Sequence, residues 1–312
     1  MRLRITFSAL LCLAACSGGV TAAGSTVRVQ PVPLPDALRR SPDLGELRLA
    51  TAYQLSSDDP AFGGLSGLLI EDGGLLALSD RAMLFHARVA LAPDGTLQPP
   101  RGWWAEPVGD SARDDTESLS RLTDGSLVAS AESPVRLVPF GGEAPLLAQR
   151  LAEAFPDTPR NEGVEGLATM PDGSLFAVAE AGNGDLHQAA LVGTSGTLRF
   201  RYRTAPGFKP TGADRSGNWL LVLERRFSLL GGFESRIVAL DIGRDLPKAG
   251  GIASGRELAR LGPANLPENY EGLAVTPGPD GRLAIFIVAD DNFIPLQRTL
   301  LLQLWWTPER KA

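Results

Sequence analysis

EGLATMPDGSLFAVAE, residues 165–180, carries a glutamate at each end, an Asp-Gly pair near its middle and an apolar run on either side. Asp-Gly joins antiparallel strands in tight turns, so the segment predicts a β-hairpin. Four other segments share the layout: SGLLIEDGGLLALSD at 66–80, ESLSRLTDGSLVASAE at 117–132, TGADRSGNWLLVLE at 211–224 and EGLAVTPGPDGRLAIFIVAD at 271–290. Each is a strand, a glycine-containing turn, a second strand and a terminal acid. A further strand candidate follows most of them, as in FHARVAL, VRLVPF, QAALVG, SRIVAL and TLLLQLWW.

The terminal acids fall at 80, 132, 180, 224 and 290, in steps of 52, 48, 44 and 66 residues. Units of this length with three or four strands cannot bury their faces singly and stack around a channel as propeller blades. The fold is therefore read as all-β, a β-propeller with five visible blade repeats. A sixth blade has room in the last step, and ELRLATAYQL near the N-terminus is placed to complete a blade with the C-terminal strand. A β-sandwich explains alternating strands but not an acid kept in register.

Composition agrees. The 312 residues are 44% hydrophobic and 21% charged, with 35 glycines, 24 prolines and no long helical periodicity. A net charge of -6 argues against a nucleic-acid partner. MRLRITFSALLCLAAC has the charged start and short apolar run of an export signal, too short to span a membrane. Its end, Leu13-Ala14-Ala15-Cys16, resembles a bacterial lipobox. On that reading residues 1–15 are a signal peptide and Cys16 is the lipidated first residue. Residues 16–40 are then a tether and N-terminal segment, and 41–312 the propeller domain. Plain cleavage after Ala23 is the alternative. The expected location is the periplasmic side of the outer membrane, or the periplasm if no lipid is attached, as a monomer touching membrane only through that lipid. Cys12 and Cys16 are the only cysteines, so the domain has neither a disulfide nor a thiolate metal site.

Glu165 and Glu180 are equidistant from the Asp172-Gly173 turn, as are Glu117 and Glu132 from theirs and Glu271 and Asp290 from theirs. An ideal hairpin would set each pair face to face. Ser66 and Thr211 take the first position opposite Asp80 and Glu224. Opposed like charges cost a sheet about 0.2–1 kcal/mol each, so a cation, an arginine or a shared proton is needed to compensate. Propeller symmetry would gather Asp80, Glu117, Glu132, Glu165, Glu180, Glu224, Glu271, Asp290 and Asp291 at one channel mouth. Oxygen ligands with only His86 and His187 in the chain suit a hard divalent cation, calcium or magnesium. Arg81, Arg225 and Arg298 follow closely on these acids, either to lock blades or, with Arg226 and Lys209, to hold a phosphoryl group beside a metal. Ser66 lacks a nucleophile-elbow context. His187, the GNGD loop at 182–185, and the Trp103-Trp104 and Trp305-Trp306 pairs read first as structural.

GGLSGL with ALSDR, DTESL with DGSLVASAE, NEGVEGLA with DGSLFAVAE, LLVLERRF, and NYEGLAV with DDNFIPLQRTLLL resemble, in order, the motifs of the bacterial phytase-like family, also called the esterase-like activity of phytase domain. The resemblance runs from about residue 62 to 304. It implies a propeller with phosphodiesterase- or phosphatase-like activity on a small phosphorylated substrate. The positions it implicates are Asp80, Arg81, Glu117, Glu132, Glu165, Glu180, Glu224, Arg225, Glu271, Asp290, Asp291, Asn292 and Arg298. Among them Glu165, Glu180, Glu271 and Asp290 are the candidate catalytic carboxylates, and Arg81, Arg225 and Arg298 the candidate phosphate ligands. A non-catalytic envelope propeller that binds a protein or glycan, and a metal-dependent lactonase-type propeller, are the competing readings.

Overall fold

The computed structural model describes residues 26–109, 114–140 and 144–309. The expected signal peptide, residues 1–15, and Cys16 lie outside the described residues. The strands form five sheets. Blade one is Leu65–Glu71, Gly74–Ser79, Met83–Arg88 and Arg101–Pro107, and blade two is Thr116–Arg121, Leu127–Ala131 and Arg136–Phe140. Blade three is Val164–Thr169, Leu175–Asn183, Leu186–Val192 and Thr197–Arg203, with Ile252–Ala253 added in parallel at its edge. Blade four is Lys209–Ser216, Trp219–Ser228, Gly232–Asp241 and Arg256–Leu261. Blade five is Asn269–Pro277, Leu283–Asp290 and Thr299–Trp306, completed by Arg48–Ser57 and Val27–Pro31.

The circle thus closes by pairing N-terminal strands with the C-terminal one, as Arg48–Ser57 beside Thr299–Trp306 shows. The segment 16–40 supplies the outermost strand of that sheet, Val27–Pro31. The long step before Asp290 holds no sixth blade. It holds the short helix Ile242–Asp245, the strand lent to blade three and the outer strand of blade four. Blade two has three strands, and the helix Pro145–Ala154 covers its flank, burying Leu147, Leu151 and Ala154.

The inner strands pack side by side in the order one to five and back to one. Such proximity leaves little room for side chains. A Cβ on Gly212 would sit 2.5 Å from the Glu271 carbonyl oxygen of the next blade, and one on Gly272 would crowd Leu68 of blade one at 3.1 Å. Each interface between blades has its own apolar cluster, five in all. Alternation across a strand divides the work. In blade three Leu175, Ala177 and Ala179 pack towards blade two, whereas Phe176 and Val178 pack towards blade four. Burial on both faces is why these strands read as continuous apolar runs.

Candidate functional site

Every inner hairpin breaks register at the same place. The shift lies between Leu65 and Gly67, Thr116 and Ser118, Val164 and Gly166, Pro210 and Gly212, and Tyr270 and Gly272. The extra residue of each bulge is therefore Ser66, Glu117, Glu165, Thr211 or Glu271. A β-bulge re-aims its side chain and ends regular pairing. Glu165 consequently does not face Glu180, and Glu117 and Glu271 do not face Glu132 and Asp290. The backbone N–H of Glu180 donates to Gly163, that of Glu132 to Asp115 and that of Asp80 to Gly64, while Asp290 pairs with Asn269. The expected face-to-face carboxylates are replaced by two tiers, bulge residues inside and strand-end residues on the rim.

Aligned on the bulge, the rim positions are Asp80, Glu132, Glu180, Arg225 and Asp290. Blade four is offset by one residue: Arg225, paired with Lys209, occupies the rim, and Glu224, paired with Pro210, turns away. Glu224 is fully buried between blades three and four. It accepts a 2.6 Å hydrogen bond from the Tyr202 hydroxyl and lies 3.0 Å from Arg236 Nε. Burial, opposed by Arg236, pushes its carboxyl up to about 7. Glu224→Gln is therefore expected to destabilise the protein by about 3 kcal/mol, the scale of breaking a buried pair, without changing any metal-linked stabilisation. Urea unfolding with calcium and with EDTA checks both halves.

The remaining acids converge. Asp115, Glu117 and Glu132 bring one carboxylate oxygen each within 4.8 Å of one another. Burial raises Glu117 well above the usual carboxylate range, and Glu165 adds to it. Burial and Glu180 do the same for Glu165. Burial raises Glu271 against the pull of Arg225. On the rim, burial and then Asp115 push Asp80 up to about 6, burial pushes Glu132 up to about 7, and burial and Glu271 push Asp290 up to about 8. With Glu180, eight carboxylates share one field. Among the described residues, Arg225 pairs with Glu271 and Lys209 with Glu180. These two, with Arg81 beside Asp80, leave most of that charge uncompensated.

The other expected positions have structural work. Asp291 accepts from the Gly64 and Phe293 backbone N–H groups and from Thr299 Oγ1, which ties the loop between the second and third strands of blade five to the start of blade one. The Asn292 backbone N–H donates to Asp290. Arg81 stacks on the Phe293 ring, 3.3 Å from its centroid, beside Asp80. Arg298 donates to Glu268 rather than to the acidic cluster. Ser66 Oγ and Thr211 Oγ1 donate to the carbonyls of Thr116 and Tyr270 in the following blades. His187 is buried against the Glu180 carbonyl, 2.8 Å from Nδ1. Trp103, Trp305 and Trp306 are core, and Trp104 stacks on His86 at 3.6 Å.

Two members escaped the sequence reading. Asp115 precedes the second repeat and joins the cluster because it pairs with the rim position. Asn269 holds the same place in blade five, donating to Glu271 and Asp290 at 3.0 Å each. The signal was present as the residue two before each bulge.

The family Phytase-like, described as esterase-like activity of phytase, matches residues 60–293. The chain belongs to this phytase-like family. No curated protein matches it. Among solved structures, this phytase-like chain is similar to a candidate gluconolactonase at 18% identity and TM-score 0.41, covering 93% of this chain and 92% of that one. It is also similar to an α-L-arabinofuranosidase from Clostridium thermocellum, at 13% identity and TM-score 0.44, over 78% and 90% of the two chains. A third is the β-propeller domain of Myceliophteria thermophila Cps50 (Swd1), at 10% identity and TM-score 0.36, over 92% and 97%. At these values the likenesses carry no argument about chemistry.

Proposed function

We propose that this phytase-like propeller is an exported, metal-dependent phosphoester hydrolase whose site is the acidic channel mouth. The observation that supports the reading most is the convergence of eight carboxylates on three cations, Arg225, Lys209 and Arg81, a charge imbalance that a divalent ion would relieve. The donor set is all oxygen, which fits calcium or magnesium. Asp115, Glu117 and Glu132 would hold the ion, with Glu165, Glu180, Glu271, Asp290 and Asp80 as the surrounding wall. Such an ion polarises a phosphoryl oxygen and lowers the pKa of bound water. Asp290, pushed up to about 8, keeps its proton near neutral pH and is placed to donate it to a leaving oxygen. Arg225 and Lys209, already at the rim, orient the anionic ester. The leader ending in Cys16 supports export with a lipid anchor at the envelope.

The test uses the chain from Thr26, which contains every blade, with a chromogenic phosphodiester, a phosphomonoester and a lactone. Turnover of a phosphoester with calcium or magnesium, lost in EDTA, is expected. Absence of metal-dependent turnover on both phosphoesters sinks the proposal, and turnover of the lactone alone replaces it with the lactonase reading.

A further inference from the structure

The hairpin of blade four runs on past the rim. Beyond Arg225, the pairs are Arg226 with Glu234, Phe227 with Phe233, and Ser228 with Gly232, and the turn holds Leu229 and Leu230. The turn leucines are 93% and 103% exposed, and Phe227 is 58% exposed. Beside it, on the neighbouring blade five, the loop after Asp290 carries Leu296, 93% exposed, and Ile294, 45% exposed. Five of the nine large exposed hydrophobic side chains among the described residues thus lie on two loops. Between those loops is a cavity of about 480 Å³, lined by Lys209, Arg225, Arg226, Phe227, Phe233 and Asn292 among others.

The order along the hairpin is apolar, then aromatic, then cationic, with Arg226 paired to Glu234 yet still 41% exposed. The Phe227 and Phe233 rings touch at 4.9 Å between centroids, and Arg226 also lies 4.7 Å from the Phe208 ring. At about 3.3 Å per residue, the leucines stand roughly 13 Å above Arg225. That layering matches a membrane interface, where aliphatic groups enter the acyl region, aromatic rings sit at the boundary and cations meet phosphates. The fully exposed leucines do not line this cavity, so a small ligand held in it does not account for them. Exposed aliphatic side chains grouped on one face mark an interaction surface.

We infer that the channel mouth docks on a lipid surface, with Leu229, Leu230 and Leu296 entering the bilayer and a headgroup phosphate held between Lys209, Arg225 and Arg226. Docking stands independently of the proposed hydrolase activity. That the docked headgroup is also the phosphoester presented to the acidic cluster rests on that activity.

The experiment is co-sedimentation of the chain from Thr26 with vesicles of phosphatidylcholine containing phosphatidylglycerol, a readout that needs no turnover. Wild type is expected to pellet with the vesicles. Leu229→Ser with Leu230→Ser is expected to weaken binding by about tenfold per leucine. Arg226→Gln is expected to weaken it by about fivefold. Leu146→Ser, an exposed leucine on the helix beside blade two, is expected to change nothing. Circular dichroism establishes that each variant is folded. Wild type that stays in the supernatant overturns the inference, as does equal loss in Leu146→Ser. A lipid-free dimer abolished by the turn variant also overturns it, because a second copy would then be the occupant.

Discussion

Asp115→Asn combined with Glu132→Gln is expected to abolish the thermal stabilisation that calcium gives the wild type, and to make the metal-free protein more stable. A ligand at about a hundredfold its dissociation constant stabilises a fold by about 2.7 kcal/mol, which at this size is a rise in melting temperature of roughly 4 to 5 °C. Removing two of the three clustered carboxylates removes that rise. In EDTA the same change relieves repulsion, because Glu132 is raised by burial and by its contact with Asp115. Opposite effects in the two conditions are what a ligand pair gives. An acid serving only to pair with an arginine would destabilise in both. Phosphoester kcat/KM is expected to fall by about a hundredfold or more if the proposed site is the catalytic one. Thermal melts of wild type and variant with calcium and with EDTA decide the matter. A calcium shift kept by the variant, or a loss of stability in EDTA, sinks the metal assignment.

How far these acids could be read from the sequence depended on two local geometries. The repeat itself was legible, because Asp172-Gly173 and its counterparts punctuate equal apolar runs, and the five sheets follow that spacing. The register was not. The turn in blade three is a three-residue loop closed by Met170 and Ser174, with Gly173 left-handed at φ 80° and Ser174 tied to Asp172. It moves the pairing by one residue from a two-residue turn. The bulge at Glu165 moves it by another. Together they carry Glu180 from Glu165 to Gly163, while both acids stay at the mouth. Blade four misled for the same reason: LLVLERRF places Glu224 where an acid was sought, yet the bulge at Thr211 gives that place to Arg225. A bulge leaves no signature of its own in composition or in hydrophobic period. Here its best trace was the residue that follows it, glycine in four blades and Ser118 in the other.

The pH dependence of stability should itself depend on calcium. Asp80, Glu132 and Asp290 have folded-state values of about 6, 7 and 8, against ordinary values of 3.8, 4.5 and 3.8. The folded protein binds these protons more tightly than the unfolded chain does. Their contribution to stability is therefore complete below about pH 4 and is lost as pH rises through 6 to 8. Each tenfold gain in proton affinity on folding corresponds to about 1.4 kcal/mol, and the three groups repel one another, so the loss is expected at several kcal/mol rather than at their sum. A bound divalent ion takes the place of the protons on the acids that hold it, Glu132 among them, so saturating calcium should remove their part of the slope and leave that of Asp290, the proposed proton donor. Glu224 and Asp214, each raised by burial to about 7 and remote from the proposed ligands, should leave a smaller slope that calcium does not touch. Urea unfolding at pH 5 and pH 8, with EDTA and with calcium, separates the two contributions. Equal slopes with and without calcium would mean that no cation replaces the protons at the mouth, and stability rising with pH in EDTA would mean that the acids there are already compensated by Arg225 and Lys209.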